Sequence, residues 1–245
     1  MENDLKILQK LSEKDLSNRE SLISLFKNSP IPESEILANL GLYLTRQSLS
    51  RIFFMNEMYQ KIINVNGNII EFGTRWGQNL ALFELFRGMF EPYNYTRKII
   101  AFDTFEGFPS VHEKDGTDSN IVEGAYNVTK GYEEHLAQIL ATHKQSNPIA
   151  HIPNHELVKG NAIHTFKKYL DEHPELIIAF AYFDFDIYEP TYECLKLAKD
   201  RFTKGSVIGF DELNHPNWPG ETLAFNEIFG ISNYRIVRSP FASYS

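Results

Sequence analysis

The stretch Ile69-Ile70-Glu71-Phe72-Gly73-Thr74-Arg75-Trp76-Gly77 runs an apolar strand into an acid, a glycine turn and the helical pattern of residues 78–89. A glycine at the end of a buried strand lets a ligand come close to the backbone, and the following helix N-terminus offers unpaired N–H groups. Gly73 and Gly77 lack the third glycine of a GxGxxG dinucleotide fingerprint, which argues against a nicotinamide site. Strand, glycine turn and helix form the opening unit of a wound α/β sheet.

The rest of the chain repeats that unit. Short β-branched or aromatic runs predict strands at 68–72, 98–102, 156–159, 177–183, 206–210 and 233–237, with helices at 78–89, 132–142, 162–171, 190–202 and 222–229 between them. The alternation predicts a Rossmann-like α/β fold: a doubly wound, mainly parallel sheet, helices on both faces, and ligands beyond the carboxyl ends of the strands. Residues 1–63 read as a helical N-terminal extension and 64–245 as the catalytic domain. In the extension Ile7, Leu8, Leu11 and Leu16 are separated by the polar Ser17-Asn18 from Leu22, Ile23, Leu25 and Phe26. Pro30 and Pro32 then break the chain, and helical spacing resumes from Ile36 to Ile63. The long polar segment 107–131 has no periodicity and lies beside the expected crevice, which marks it as a lid.

With 245 residues, 42% of them hydrophobic, the chain can bury one full core. A net charge of -8 argues against a nucleic-acid surface, which needs clustered cations. Cys194 is the single cysteine, so no intrachain disulfide framework exists, and its apolar stripe with Leu195 and Ala198 places it in the core. The acidic start Met1-Glu2-Asn3-Asp4 is no secretory leader, and the longest apolar run, near 176–183, is too short to span a bilayer. These features predict a cytoplasmic protein without a membrane partner. The amphipathic N-terminal region points to a homo-oligomer.

Four strand ends carry the polar chemistry. Asp103 closes the second strand, where an acid accepts hydrogen bonds from the ribose hydroxyls of an adenosine cofactor. Asp184 and Asp186 follow the apolar run 177–183, and Asp211 and Glu212 follow 206–210. Two neighbouring strands then present oxygen ligands at one edge, a donor set suited to a hard divalent cation. Asp186, His215 beside the second acid pair and His112 in the lid are candidate bases. Trp218 and the following Pro219-Gly220-Glu221-Thr222 form either a substrate wall or a helix start.

In combination, Glu71 to Gly77, Phe102-Asp103-Thr104-Phe105-Glu106-Gly107-Phe108-Pro109, Asp184-Phe185-Asp186-Ile187-Tyr188-Glu189-Pro190-Thr191, and Phe210-Asp211-Glu212 with Trp218 to Thr222 resemble the macrocin O-methyltransferase family over about residues 36–240. The resemblance implies a class I methyltransferase that uses S-adenosyl-L-methionine and acts on a sugar or glycosylated small molecule. It implies that Glu71, Gly73, Thr74, Arg75 and Gly77 line the cofactor turn, that Asp103 holds the ribose with Thr104 and Phe105 flanking the adenosine, and that Asn161 lies near the adenine. It further implies Mg2+, or another divalent cation, at Asp184, Asp211 and Glu212, with Asp184 itself part of the reaction centre. Asn161 and Glu212 depart from the family's usual residues, and 238–245 leaves little chain for its final antiparallel strand pair, which predicts a shortened sheet edge. A metal-dependent hydrolase or hydroxylase, or a non-catalytic nucleoside-binding subunit, are the competing readings of the same acids.

Overall fold

The structure is a computed structural model that describes residues 12–242, 244 and 245. The helical positions expected at Ile7, Leu8 and Leu11 lie outside the described residues. The chain divides into two compact units, Met1–Arg51 and Ile52–Ser245.

In the first unit, helix α1 (Glu13–Lys27) begins where the Ser12 hydroxyl accepts the Asp15 N–H at 3.2 Å. It runs through Ser17 and Asn18 without the expected separation, since two exposed polar residues cost a helix only about 0.5 kcal/mol each. Asn28 ends it by donating Nδ2 to the Ser24 carbonyl at 2.8 Å. A short α2 (Glu33–Ile36) follows Pro32 and tightens into a 3-10 turn, Leu37–Tyr43. Extended backbone at Leu44 then interrupts the helix that spacing predicts from Ile36 onward, and α3 (Arg46–Ile62) starts afresh and crosses into the second unit. No residue of α1, α2 or the 3-10 turn is buried.

The second unit holds β1 (Asn68–Phe72), α4 (Gln78–Phe90), β2 (Ile99–Asp103), α5 (Tyr132–Gln145), β3 (His155–Lys159), α6 (Ala162–Glu172), β4 (Ile178–Phe183), α7 (Tyr188–Ala198), β5 (Phe202–Phe210) and α8 (Gly220–Phe229). The five strands are parallel in the order β3-β2-β1-β4-β5, so the winding reverses between β1 and β4. Strand period two sorts the core into two layers. Ile69, Ile99, Ala101, Phe180 and Tyr182 meet α4, α5 and the part of α3 that follows Ile52; Ile70, Phe72, Ile100, Phe102 and Phe183 meet α6, α7 and α8.

One device sets the strand ends level. Phe102, Phe72, Phe183 and Phe210 are register partners on four adjacent strands, and their rings stack in series at centroid distances of 5.5, 4.6 and 5.4 Å. Because each phenylalanine ends its apolar run, the next residues, Asp103, Gly73, Asp184 and Asp211, stand in one row at the sheet's carboxyl edge.

Two expectations fail toward the C-terminus. The helix predicted at 190–202 stops at Ala198, and Phe202 opens β5 instead, its ring 6.2 Å from that of Phe229. The strand predicted at 233–237 does not form. Asn233 donates Nδ2 to the Phe229 carbonyl at 2.9 Å, and Tyr234 rests on Phe225 and Phe229 at 5.7 and 5.3 Å, so the segment follows α8 and leaves β5 at the sheet edge.

Candidate active site

The β1 turn and the end of β2 form one unit. Asp103 Oδ2 accepts the N–H groups of Thr74 at 2.6 Å and Arg75 at 2.8 Å, and its Oδ1 accepts that of Phe105. Glu71 is fully buried and accepts the Thr74 hydroxyl at 3.1 Å. Gly73 adopts φ +86°, and a Cβ there would stand 2.0 Å from the Asp184 carbonyl oxygen. The turn therefore presses directly on the end of β4. Gly77, at φ +75°, precedes α4 where a Cβ would meet Leu136 at 2.4 Å.

The other expected cofactor residues have defined local duties. Thr104 donates its hydroxyl to the Gly107 carbonyl at 2.8 Å and so closes the turn after β2. Phe105, at φ +57°, is 5% exposed, its ring within the core layer of α4 and α5 rather than on an open wall. Asn161 caps α6, its Oδ1 accepting the Ile163 N–H at 3.0 Å, which leaves its amide hydrogens for another acceptor.

The acids of β4 and β5 converge. Oxygens of Asp184, Asp186 and Asp211 lie within 4.8 Å of one another. Tyr182 donates its hydroxyl to Asp211 Oδ1 at 2.6 Å, orienting that carboxylate. Three convergent carboxylates make a hard oxygen set that fits Mg2+ or Ca2+. Of the acids that the sequence put at this edge, Asp184, Asp186 and Asp211 converge, with Asp186 at φ +62°, while Glu212, which the resemblance put among the ligands, has its Oε2 3.8 Å from His215 Nε2. His215 Nδ1 accepts the Asn217 N–H at 3.2 Å, and His112 Nδ1 accepts the Lys114 N–H at 3.1 Å as the cap of a 3-10 turn in the lid. In a neutral imidazole either arrangement puts the proton on Nε2.

Sequence reasoning passed over the group that joins these loops. Glu221, in the first turn of α8, is fully buried; its Oε1 accepts the N–H groups of Phe185 and Asp186, both at 3.2 Å, and its Oε2 accepts that of Glu212 at 3.0 Å. Burial pushes its carboxyl well above the usual range and the charges of Asp186 and Asp211 add to this, against the pull of the N–H donors. Gly220 makes room, since a Cβ there would lie 2.7 Å from Tyr188 N. Pro219 to Thr222 is thus a helix start whose acid fastens both acid-bearing loops.

The segment 107–131 is fastened at two points. Phe108 and Ala125 pair through an N–H to carbonyl bond of 3.0 Å, and Gly124 returns one of 2.9 Å to Phe108. Asp115 is fully buried and accepts the N–H of Tyr188 at 2.6 Å and that of His112. Trp218 is 4% exposed and meets Tyr126 and Phe108 of this segment at 6.2 and 6.3 Å, so it packs against the segment.

A parallel sheet of this order, with a glycine turn on β1, an acid ending β2 and further acids ending β4 and β5, defines the class I methyltransferase architecture. No protein-family model matches the sequence, and no curated protein does. Among solved structures, the chain is similar to the calicheamicin methyltransferase CalS11 at 38% identity and TM-score 0.92, over 94% of this chain and 90% of that one. It is similar to the apo structure of CalS11, described as a TDP-rhamnose 3'-O-methyltransferase of calicheamicin biosynthesis, at 35% identity and TM-score 0.83, over 94% and 91%. The O-methyltransferase NovP shares the fold at 18% identity and TM-score 0.55, over 75% and 73%. The chain belongs to the O-methyltransferase family that includes CalS11, and is an S-adenosylmethionine-dependent enzyme of that class. Among the described residues no helix is long and apolar enough to cross a membrane.

Proposed function

We propose that this enzyme, as a member of the macrocin O-methyltransferase group, moves the methyl group of S-adenosylmethionine onto a sugar hydroxyl in the cytoplasm, the sugar being linked to a nucleotide or to a small-molecule aglycone. The observation that carries the reading is the contact of Gly73 with the Asp184 carbonyl, which sets a nucleoside-binding turn directly against a carboxylate cluster. The activity printed for CalS11 supports the acceptor class.

On this reading the Gly73 turn admits the cofactor's methionine arm, and the lone pairs of Asp103 not taken by backbone N–H groups face the ribose hydroxyls. Asp184, Asp186 and Asp211 would hold a divalent cation, which when bound supplies Lewis acidity to an alcohol too weakly acidic to react unaided. Tyr182 and Glu221 hold the carboxylates in place, and a carboxylate of the cluster takes the hydroxyl proton as the methyl group transfers. The exposed Ile23, Leu25, Leu37 and Leu42 of the first unit favour a second copy of the chain as partner. Sedimentation as a monomer would remove that last element.

Incubation with S-adenosylmethionine and a panel of nucleotide sugars and glycosides, read by mass, is expected to give a product heavier by one methylene. S-adenosylhomocysteine binding without turnover on any sugar refutes the acceptor class. Turnover unchanged by EDTA refutes the cation.

A further inference from the structure

Among the described residues, no acid forms a salt bridge with Arg75. Its backbone stands at φ +48°, a left-handed conformation costly for a residue other than glycine, and its N–H bonds to Asp103 at 2.8 Å. The side chain leaves the turn on the lid side. Its guanidinium carbon lies 5.2 Å from the Tyr126 ring and 6.0 Å from the Trp76 ring. Its Nε is buried with no hydrogen-bond acceptor among the described residues. Burial and then the charge of Asp186 push the Tyr126 hydroxyl upward, and the charge of Arg75 opposes them.

A guanidinium beside aromatic faces still offers a planar fork of N–H donors, a geometry matched to carboxylate and phosphate oxygens. A buried donor left unpaired is costly, and an arriving oxyanion removes that cost. We infer that Arg75 is an oxyanion-recognition residue of this site, binding a carboxylate or phosphate group of a bound ligand through Nε and its neighbouring amine. This rests on the methyltransferase reading. Two sources offer the chemistry: the amino-acid carboxylate of the cofactor, and the diphosphate of a nucleotide-linked sugar.

The test is calorimetry on the full chain and on Arg75→Gln and Arg75→Lys, with three probes: S-adenosylhomocysteine, 5'-methylthioadenosine, which lacks the amino-acid carboxylate, and thymidine diphosphate. If the cofactor is the source, Arg75→Gln weakens S-adenosylhomocysteine by about 10- to 100-fold and leaves methylthioadenosine unchanged. If the acceptor is the source, only thymidine diphosphate weakens by that factor. Arg75→Lys keeps the charge but not the fork, and is expected to fall between. Equal weakening of S-adenosylhomocysteine and methylthioadenosine shows a distorted turn and overturns the inference, as does binding of all three probes within threefold of the parent. Failure of the parent chain to bind S-adenosylhomocysteine instead overturns the methyltransferase reading, and the inference with it.

Discussion

Replacing Gly73 by alanine tests the joint between the two halves of the site. The added methyl would sit 2.0 Å from the Asp184 carbonyl oxygen and 2.6 Å from its carbon, both backbone atoms, so no rotamer change can relieve it. Restoring a separation of about 3 Å or more demands roughly 1 Å of displacement between β1 and β4. That movement breaks the bond from Asp184 N–H to the carbonyl of the fully buried Phe72, now 2.8 Å. Loss of such a buried bond costs about 1–3 kcal/mol, and alanine at φ +86° adds about 1–2 kcal/mol. The sum, about 2–5 kcal/mol, lowers the melting temperature by about 5–15 °C for a chain of this size. Calorimetric titration should show S-adenosylhomocysteine affinity reduced more than tenfold. A Gly73→Ala protein that melts within 2 °C of the parent and binds S-adenosylhomocysteine equally well, a tolerance set against the roughly 5 °C minimum expected, refutes the argument.

Asp103→Asn keeps the side chain's shape but sets an NH2 group against either the Thr74 and Arg75 N–H pair or the Phe105 N–H; cofactor affinity is expected to fall about tenfold or more while circular dichroism stays native. Glu221→Ala strips the acceptor from three N–H groups of the acid loops, so cation affinity and kcat should collapse while S-adenosylhomocysteine still binds the β1 and β2 half; equal loss of both would show a general fold defect. Cys194 is fully buried, and burial pushes its thiol well above the usual range, so a thiol reagent should label the native protein only on unfolding; rapid labelling under native conditions would contradict the core placement.

The strands that build the site were legible because each ends in the same way, an aromatic residue followed by a glycine or an acid: Phe72-Gly73, Phe102-Asp103, Phe183-Asp184 and Phe210-Asp211. Hydrophobic period and turn chemistry are local, and local signals survive in a single sequence. Glu221 was not legible, since its partners Phe185 and Glu212 are brought to it only by the fold, and nothing in the spacing of an acid to distant backbone N–H groups is periodic. The same holds for Asp115, which reads as one more charge in a polar loop yet is buried under Tyr188. The sequence put Asp184, Asp186, Asp211 and Glu212 at one edge, and Asp184, Asp186 and Asp211 converge there; that Glu212 is not among the converging acids depends on contacts that only the fold makes. The terminal segment 233–237 has strand-like composition, but its tyrosine found the aromatic face of α8 first.

The phenylalanine row beneath the site separates alignment from reactivity. Its rings bear no charge, so they level the strand ends without fixing which side chain follows on β4 or β5, whereas on β1 the close approach of the Asp184 carbonyl requires Gly73. A descendant of this enzyme could therefore trade an aspartate on β4 or β5 for another ligand type and acquire a new acceptor while the nucleoside half, set on β1 and β2, stays as it is. The hydrocarbon layer acts as a ruled baseline on which different chemistries can be written.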